Sequence, residues 1–201
     1  MKKLRIVVVL AILAVGYFGL QRSEKQEAKF NVEVDGMTVE LDKTTVKDLK
    51  DHGFTLADGI SSDLPATMEP KTVSLSNTGS AMKSDEQYFG FGVINRTNTN
   101  VSIEEAKIES VSIHYKDTYI KGNKVDTYQE AKVMGFNPKG MTMDEVKSQL
   151  KKEVDEASIS QNKEDQLQVK VDDHYCNYYF DKDGKLETVS TSIAVATTFR
   201  K

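Results

Sequence analysis

The chain has 201 residues, of which 38% are hydrophobic and 29% charged, and a formal net charge of −4 at pH 7. This composition is typical of a globular protein with one substantial core or two small ones, and it excludes a disordered or coiled-coil chain. An acidic chain lacks the basic field that captures nucleic acid, so no nucleic-acid partner is predicted. Because Cys176 is the single cysteine, an intramolecular disulfide is excluded.

The first predicted element is an export segment. Lys2, Lys3 and Arg5 precede an apolar run over residues 6–20, after which the sequence turns polar. This order is typical of a secretory signal, and the run also approaches the length at which a helix spans a bilayer. Poorly placed small residues favour an uncleaved anchor over a cleaved signal, with a buried core helix as the remaining alternative. Residues 1–29 would form the signal or anchor plus a charged stalk, and the charge bias places the rest of the chain outside the cytoplasm.

Two later segments read as copies of one helix. Thr44–Phe54 aligns without a gap with Asp126–Phe136, and both segments end in Gly-Phe. Each contains a threonine three residues before an acid, a spacing typical of a capped helix start. The alignment predicts two similar modules, at residues 30–118 and 119–201. The alternative is two unrelated helices with ordinary caps.

Alternating apolar residues predict the strands of the first module. Val32, Val34, Val39 and Leu41 flank an Asp35-Gly36 turn and indicate a hairpin before the first helix. After an irregular span at residues 57–71, period-two patterns predict three more strands. These strands are centred on Val73 with Leu75, on Phe89 with Phe91 and Val93, and on Val111 with Ile113 and Tyr115.

The second module is predicted to pair helices with a meander. Thr142 with Glu145 forms a capping pattern before a helix, and together with the Asp126–Phe136 helix this gives a helical hairpin. Three alternating runs at residues 166–171, 174–180 and 186–196 then predict antiparallel strands, with a hairpin loop at 181–184. The predicted fold class is therefore α+β, with two small modules that each pack short helices on one face of an antiparallel sheet.

These segments also resemble known exported modules. GMTMDEVKSQL, followed by strands and YYFDKDGKL, resembles the small modules of the beta-lactamase-inhibitor-protein and outer-membrane-assembly lipoprotein type. KTTVKDLKDHGF and VINRTNTNVSIEEAKIESVSI resemble uncharacterised exported proteins and lipoproteins of Gram-positive bacteria. Together they cover most of the chain after residue 30, although Lys151-Lys152-Glu153 stand where that module type has a Gly-x-Pro turn. The resemblance implies a fold and an extracytoplasmic location, and it implies no activity.

The densest cluster of ligand-capable residues surrounds His174. On a strand, His174 and Cys176 share a face while Asp173 points away, so a common metal site would need ligands from elsewhere. A core-facing thiol is favoured over a metal ligand, and a nucleophilic cysteine would need an accessible thiol beside an activating base. No metal site is predicted here.

The remaining templates also fail. Residues 181–184 resemble the start of a calcium loop, but the glycine and glutamate that such a loop requires are missing from their positions. Gly90-Phe91-Gly92 lacks the third glycine and the helix start of a nucleotide-binding loop. No serine-hydrolase, zinc-protease or phosphate-loop motif occurs in the sequence. We predict no catalytic residue and no cofactor.

One set of residues is a positive candidate for binding. Tyr175, Asn177 and Tyr179 alternate with apolar residues and would lie on the open face of the predicted sheet. Aromatic rings with polar tips are typical anchors of interfaces. The alternative is that these tyrosines only stabilise a solvated face through cross-strand pairs.

The sequence thus leads to the hypothesis of a non-enzymatic binding module at the bacterial cell envelope. Its partner would be an envelope protein or a wall polymer, and residues 6–20 would contact the membrane. Two alternatives stay open. The first is an envelope hydrolase whose acids converge only in the fold, which a cleft with two buried, pKa-shifted carboxylates would favour. The second is a structural spacer at the surface.

Overall fold

The computed structural model describes residues 30–58, 64–84, 87–116, 118–120, 123–127 and 130–195. Within these ranges the chain forms two α-helices, α1 (Val46–Asp51) and α2 (Met143–Glu153), and short 3₁₀ turns at Ile103–Glu105 and Glu156–Ser158. It also forms fifteen strands, which are β1 (Val32–Val34), β2 (Met37–Val39), β3 (Thr55–Asp58), β4 (Thr67–Met68), β5 (Thr72–Ser84), β6 (Gln87–Asn95), β7 (Val101–Ser102), β8 (Lys107–His114), β9 (Thr118–Ile120), β10 (Asn123–Thr127), β11 (Lys132–Val133), β12 (Ile159–Lys163), β13 (Gln166–Val171), β14 (His174–Phe180) and β15 (Leu186–Ile193).

The predicted export segment at residues 6–20 lies outside the described residues. Across the ranges that the structure describes, no helix has the length and apolar character needed to cross a membrane.

A ten-stranded sheet dominates the described part of the chain. Its order is β12-β13-β14-β15-β8-β6-β10-β9, and β5 pairs with both β6 and β3. The pairs are antiparallel except for β10, which runs parallel to the start of β6. A second sheet has the order β11-β1-β2, and β4 pairs with β7.

Both helices begin at the predicted capping threonines. Thr45 Oγ1 accepts a hydrogen bond from the Asp48 N–H at 3.1 Å, and the Asp48 carboxylate accepts one from the Thr45 N–H at 2.8 Å. Thr142 and Glu145 repeat this reciprocal pair at 3.4 and 2.7 Å. Each pair satisfies two backbone donors of a first helical turn, which fixes where the helix starts.

The predicted fold class of two modules, each with short helices packed on an antiparallel sheet, is wrong. The described chain is mostly β, with a single large sheet and only two α-helices. Strand β8, from the first predicted module, pairs with β15, from the second, between Ser110↔Ser192 and His114↔Thr188. The sheet therefore continues through both predicted modules.

The predicted helix in Asp126–Phe136 is also wrong. Its described residues form the end of β10, strand β11 and a turn at Met134-Gly135, where φ is 53° and 84°. Val133 of β11 pairs with Val32 of β1, and both side chains are fully buried. Because these pairings join distant parts of the chain, tertiary contacts override the local capping pattern. The predicted helical hairpin does not form.

The predicted strands of the C-terminal third are confirmed. β13 and β14 have the predicted bounds, and β15 ends at Ile193, whereas the prediction extended to residue 196, outside the described residues. The hairpin loop after β14 closes through hydrogen bonds from Asp181 N to Lys185 O at 2.8 Å and from Gly184 N to Asp181 O at 2.9 Å. In the first half, the predicted Asp35-Gly36 hairpin forms, and the three later strands correspond to β5, β6 and β8.

One hydrophobic cluster joins both sheets and both helices. Phe54 meets Phe89 edge-on at 5.5 Å, and Phe136 stacks on Tyr178 at 6.3 Å. Such aromatic pairs add about 0.5–1.5 kcal/mol beyond the burial of their area. Members of the cluster that are buried to 1% exposure or less include Val32, Val39, Val46, Leu49, Phe91, Val111, Val133, Val146, Leu150, Val169 and Cys176.

Candidate functional site

The side of the ten-stranded sheet that faces away from this cluster carries uncharged polar and small residues. We call this side the polar face and define it by three rows of paired residues. The rows are Lys170-Tyr175-Ser192-Ser110-Gly92, Gln168-Asn177-Ser190-Ser112-Gly90 and Gln166-Tyr179-Thr188-His114. Because directly paired residues project their side chains to the same side of a sheet, each row is a continuous band across neighbouring strands.

The three predicted binding residues lie together on the polar face. Tyr179 is 39% exposed and is the one exposed large hydrophobic side chain among the described residues. Tyr175 and Asn177 are half-buried. The Lys170 ammonium lies 5.3 Å from the centroid of the Tyr175 ring, within the range of a cation–π interaction. The prediction that these residues share a face is confirmed, whereas their role in binding stays a prediction.

Two glutamines fix the orientation of Asn177. Its Oδ1 accepts hydrogen bonds from Gln166 Nε2 at 3.2 Å and from Gln168 Nε2 at 2.9 Å. The Nδ2 group makes no hydrogen bond within the described part of the chain. Since an amide offers two donors on that nitrogen, Asn177 presents unused donors at the polar face.

The polar face continues over β15 and β8. Ser112 Oγ donates a hydrogen bond to Ser190 Oγ at 3.2 Å, and His114 Nδ1 lies 3.0 Å from Thr188 Oγ1. The His114 ring stacks on Tyr88 with centroids 6.0 Å apart. Burial lowers the pKa of His114, so the imidazole is uncharged at neutral pH.

Sequence reasoning missed these additional residues of the polar face. Polar residues at every second position of both strands indicate such a face. They are Thr188, Ser190 and Ser192 in β15 and Ser110 and Ser112 in β8. The register that joins these two strands spans more than 70 residues of sequence, and no local pattern predicts it.

Accessibility of the polar face decreases from β14 towards β5. Ser112 is 3% exposed and Ser110 is fully buried. Ser80, which pairs with Gly90, is 1% exposed. Within the described chain, Ser80 Oγ and His114 Nε2 are buried without a hydrogen-bond partner. The part of the face open to a partner therefore lies on β13, β14 and β15.

The cluster around His174 is divided between core and turn. Cys176 is fully buried, and burial raises the pKa of its thiol to about 12. The His174 ring packs on Phe30 with centroids 5.3 Å apart, while Asp172 and Asp173 lie in the turn between β13 and β14. A neutral, inaccessible thiol cannot supply a thiolate nucleophile. In the ranges that the structure covers, no group of three or more His, Cys, Asp or Glu is arranged to hold a metal ion.

The two loop-like motifs have structural roles. The Asp181 carboxylate accepts hydrogen bonds from the N–H groups of Asp183 and Lys185, both at 2.8 Å, and pairs with Lys116. The hydrogen bond from Lys116, more than the backbone donors, lowers the pKa of Asp181. Gly90-Phe91-Gly92 lies inside β6, where the Phe91 ring enters the core. The geometry therefore favours a hairpin and a strand over ion or nucleotide loops.

One buried carboxyl bears on the hydrolase alternative. The register of β6 and β8 shifts so that Gly92 pairs with Ser110 and Val93 with Ile108, which makes Glu109 the extra residue of a bulge. Glu109 is 5% exposed, and burial raises its pKa to about 7, although Ser110 and then Arg96 partly offset the rise. A hydrolytic pair needs a second carboxyl, and none with a raised pKa occurs beside Glu109 in the described part.

Two concave regions lie away from the polar face. A groove of about 690 Å³ is bounded by the start of α2, the β12–β13 turn and the β14–β15 loop. Its lining mixes acids such as Asp144 and Asp165 with Lys147 and Lys182. A smaller cavity of about 350 Å³ lies beside Arg96, whose Nε is 2.8 Å from the Asp42 carboxylate. Because acidic and basic residues are mixed in both regions, neither region favours one class of ligand.

Comparisons with protein-family models, with curated proteins and with solved structures give no match for this chain.

Proposed function

We propose that this protein is a non-enzymatic binding module of the cell envelope that engages its partner through the polar face. The observation that carries the proposal is the composition of the accessible part of that face, where Tyr175 and Tyr179 flank Asn177. Tyrosine rings supply rigid contact area at low entropic cost, while short amides and hydroxyls supply adaptable hydrogen bonds. This combination is typical of surfaces that bind.

The location at the envelope is part of the same proposal. It is supported by the apolar run at residues 6–20 and the cations before it, which favour transfer of the following chain across a membrane. The protein would be either anchored or secreted. In both cases the polar face would meet envelope proteins or wall polymers.

The experiment is capture from envelope extracts by the immobilised full-length chain, followed by mass spectrometry and sugar analysis. The Tyr175→Ala/Tyr179→Ala double variant should lose the captured partner. The matched control is Lys152→Ala on α2, an exposed side chain whose hydrogen bond is confined to its neighbour Gln149 at 3.0 Å. Equal capture by the wild type and the double variant would remove the polar face from the proposal.

The structural spacer makes the opposite prediction, since neither variant should change any captured species. The hydrolase alternative requires a second carboxyl group that lies near Glu109 when a substrate is bound. Turnover of envelope polymers by the wild type but not by Glu109→Gln would establish that alternative, with loss of polymer mass as the measured quantity.

A further inference from the structure

The accessible polar face carries few charged residues, although 29% of the residues in the chain are charged. Lys170 lies in its first row, Lys163 of β12 pairs with Gln166 of the third row, and Glu187 interacts electrostatically with His114 of that row. On β13, β14 and β15 the rows contain amides, hydroxyls and tyrosine rings, and their one charged residue is Lys170. Its ammonium lies over the Tyr175 ring at the rim of the face. Electrostatic complementarity therefore favours a partner without charge.

We propose that the ligand of the polar face is an uncharged, hydroxyl-rich oligosaccharide segment of an envelope polymer. This inference rests on the proposed binding function and names its ligand class. The partly exposed ring of Tyr179 offers a flat apolar surface for the C–H side of a sugar. Asn177 Nδ2, which has unused donors, is placed to donate to sugar oxygens.

A protein partner fits the same surface less well. Protein interfaces have an apolar centre and are depleted in serine, and a specific interface buries about 800 Å² on each partner. Here Tyr179 is the one exposed large hydrophobic side chain in the described ranges, and its paired neighbours are Gln166 and Thr188. Serine residues occupy the next two positions of β15 on this face, Ser190 and Ser192. The face thus offers many hydrogen-bonding groups around few apolar anchors.

An anionic polymer also fits less well. Binding to repeated phosphates or carboxylates uses clusters of lysine or arginine, and it weakens as salt screens the charges. The polar face and the edge strand paired with it supply two ammonium groups, those of Lys170 and Lys163, at opposite ends of β13. The Lys170 ammonium is already placed over an aromatic ring.

The test is titration calorimetry of the full-length chain in a mild detergent with three probes. These probes are short oligomers of N-acetylglucosamine, short oligomers of glucose, and polyglutamate as a polyanion. We expect at least one neutral oligomer to bind with an affinity that does not change between low and high salt. Tyr179→Ala should weaken that binding about tenfold or more. Tyr179→Phe, which keeps the ring, should retain more of the affinity than Tyr179→Ala does, and Lys152→Ala, which lies outside the polar face, is the control that should bind as the wild type does.

The outcomes separate the ligand class from the proposed function. If neither neutral oligomer binds, or if polyglutamate alone binds with an affinity that falls with salt, the ligand class is wrong. If envelope capture still depends on Tyr175 and Tyr179 in that case, the binding function stands with another kind of partner. If neutral oligomers bind but Tyr179→Ala leaves their affinity unchanged, the sugar site is not the polar face, and the inference is overturned.

Discussion

The two sides of β14 differ in what they contribute to the protein. On one side Cys176 and Tyr178 are fully buried and Phe180 is 5% exposed, all within the hydrophobic cluster. On the other side Asn177 and Tyr179 lie on the polar face. Asn177 is half-buried and accepts hydrogen bonds from two glutamines of β13, and Tyr179 is exposed to solvent. One set of alternate residues of this seven-residue strand thus stabilises the core, and the other set is accessible for recognition.

The contrast extends across the sheet. In β8, Val111 and Ile113 enter the cluster, whereas Ser110 and Ser112 belong to the polar face. Substitutions on the core side should therefore change the free energy of unfolding strongly, and substitutions on the accessible polar side should change it little.

The largest effect is expected from Phe91→Ala, which removes a fully buried ring from the core side of β6. Loss of transferred area plus the cavity left behind should lower the free energy of unfolding by about 3–5 kcal/mol. Denaturant unfolding followed by circular dichroism measures it. Tyr179→Phe on the opposite side of the sheet is the matched aromatic control, and its free energy of unfolding should stay close to that of the wild type. Equal losses in both variants would contradict the difference between the two sides of the sheet.

The next effect concerns Glu109, whose pKa in the folded state is about 7 against an ordinary value of 4.5. Between these values the folded protein keeps a proton that the unfolded chain releases. The free energy of unfolding should therefore fall as the pH rises through this window, by up to about 3 kcal/mol. Below pH 4.5 both states hold the proton, and the contribution is constant.

Glu109→Gln should abolish this fall. The difference in the free energy of unfolding between the variant and the wild type should therefore change steadily from pH 4.5 to 7. His114 acts in the opposite sense, because its lowered pKa costs stability as the pH falls below 6.5. That contribution is present in both proteins and cancels in the difference. Urea midpoints measured across the window provide the test, and parallel curves would show that Glu109 is ionised in the fold.

A smaller loss is expected from Gly79→Ala. Gly79 pairs with Phe91, and a Cβ at Gly79 would overlap the Phe91 ring. Because that ring is fully buried, it can relieve the overlap only by displacing its neighbours in the core, and the added methyl should cost about 1–3 kcal/mol. Thermal unfolding checks the expectation. A variant as stable as the wild type would mean that the Phe91 ring can shift within the core at little cost.

The smallest of these losses is expected from Thr142→Ala, which removes the cap of α2. Its side chain accepts from Glu145 N–H, and α2 contributes Val146 and Leu150 to the cluster. Loss of such a cap typically costs about 1 kcal/mol. Thr142→Ser keeps the hydroxyl and should retain most of the stability in the same urea titration, whereas equal loss in both variants would argue against the cap.

Local patterns predicted several elements of this structure, although not its fold class. Alternation of apolar residues gave β13, β14 and β15 almost to the residue, because each strand has one side in the core. The capping boxes at Thr45 and Thr142 located both helix starts, because the chemistry of a cap lies within four residues.

The rest depended on contacts that no short window contains. The second capping pattern, in Asp126–Phe136, gave way to pairing of β11 with β1 and of β10 with β6. The same limit applied to the candidate site. The outward position of Tyr175, Asn177 and Tyr179 follows from period two, but the rows that extend the polar face require the long-range register of β8 with β15.

The most direct test of the division between a structural side and a recognition side is a paired measurement on Tyr175→Ala/Tyr179→Ala. Envelope capture and urea unfolding would be measured on the same preparation of the full-length chain. The account predicts that capture is lost while the free energy of unfolding changes by no more than about 1 kcal/mol for each cross-strand pair removed. Capture equal to that of the wild type, or loss of the fold together with capture, would contradict it.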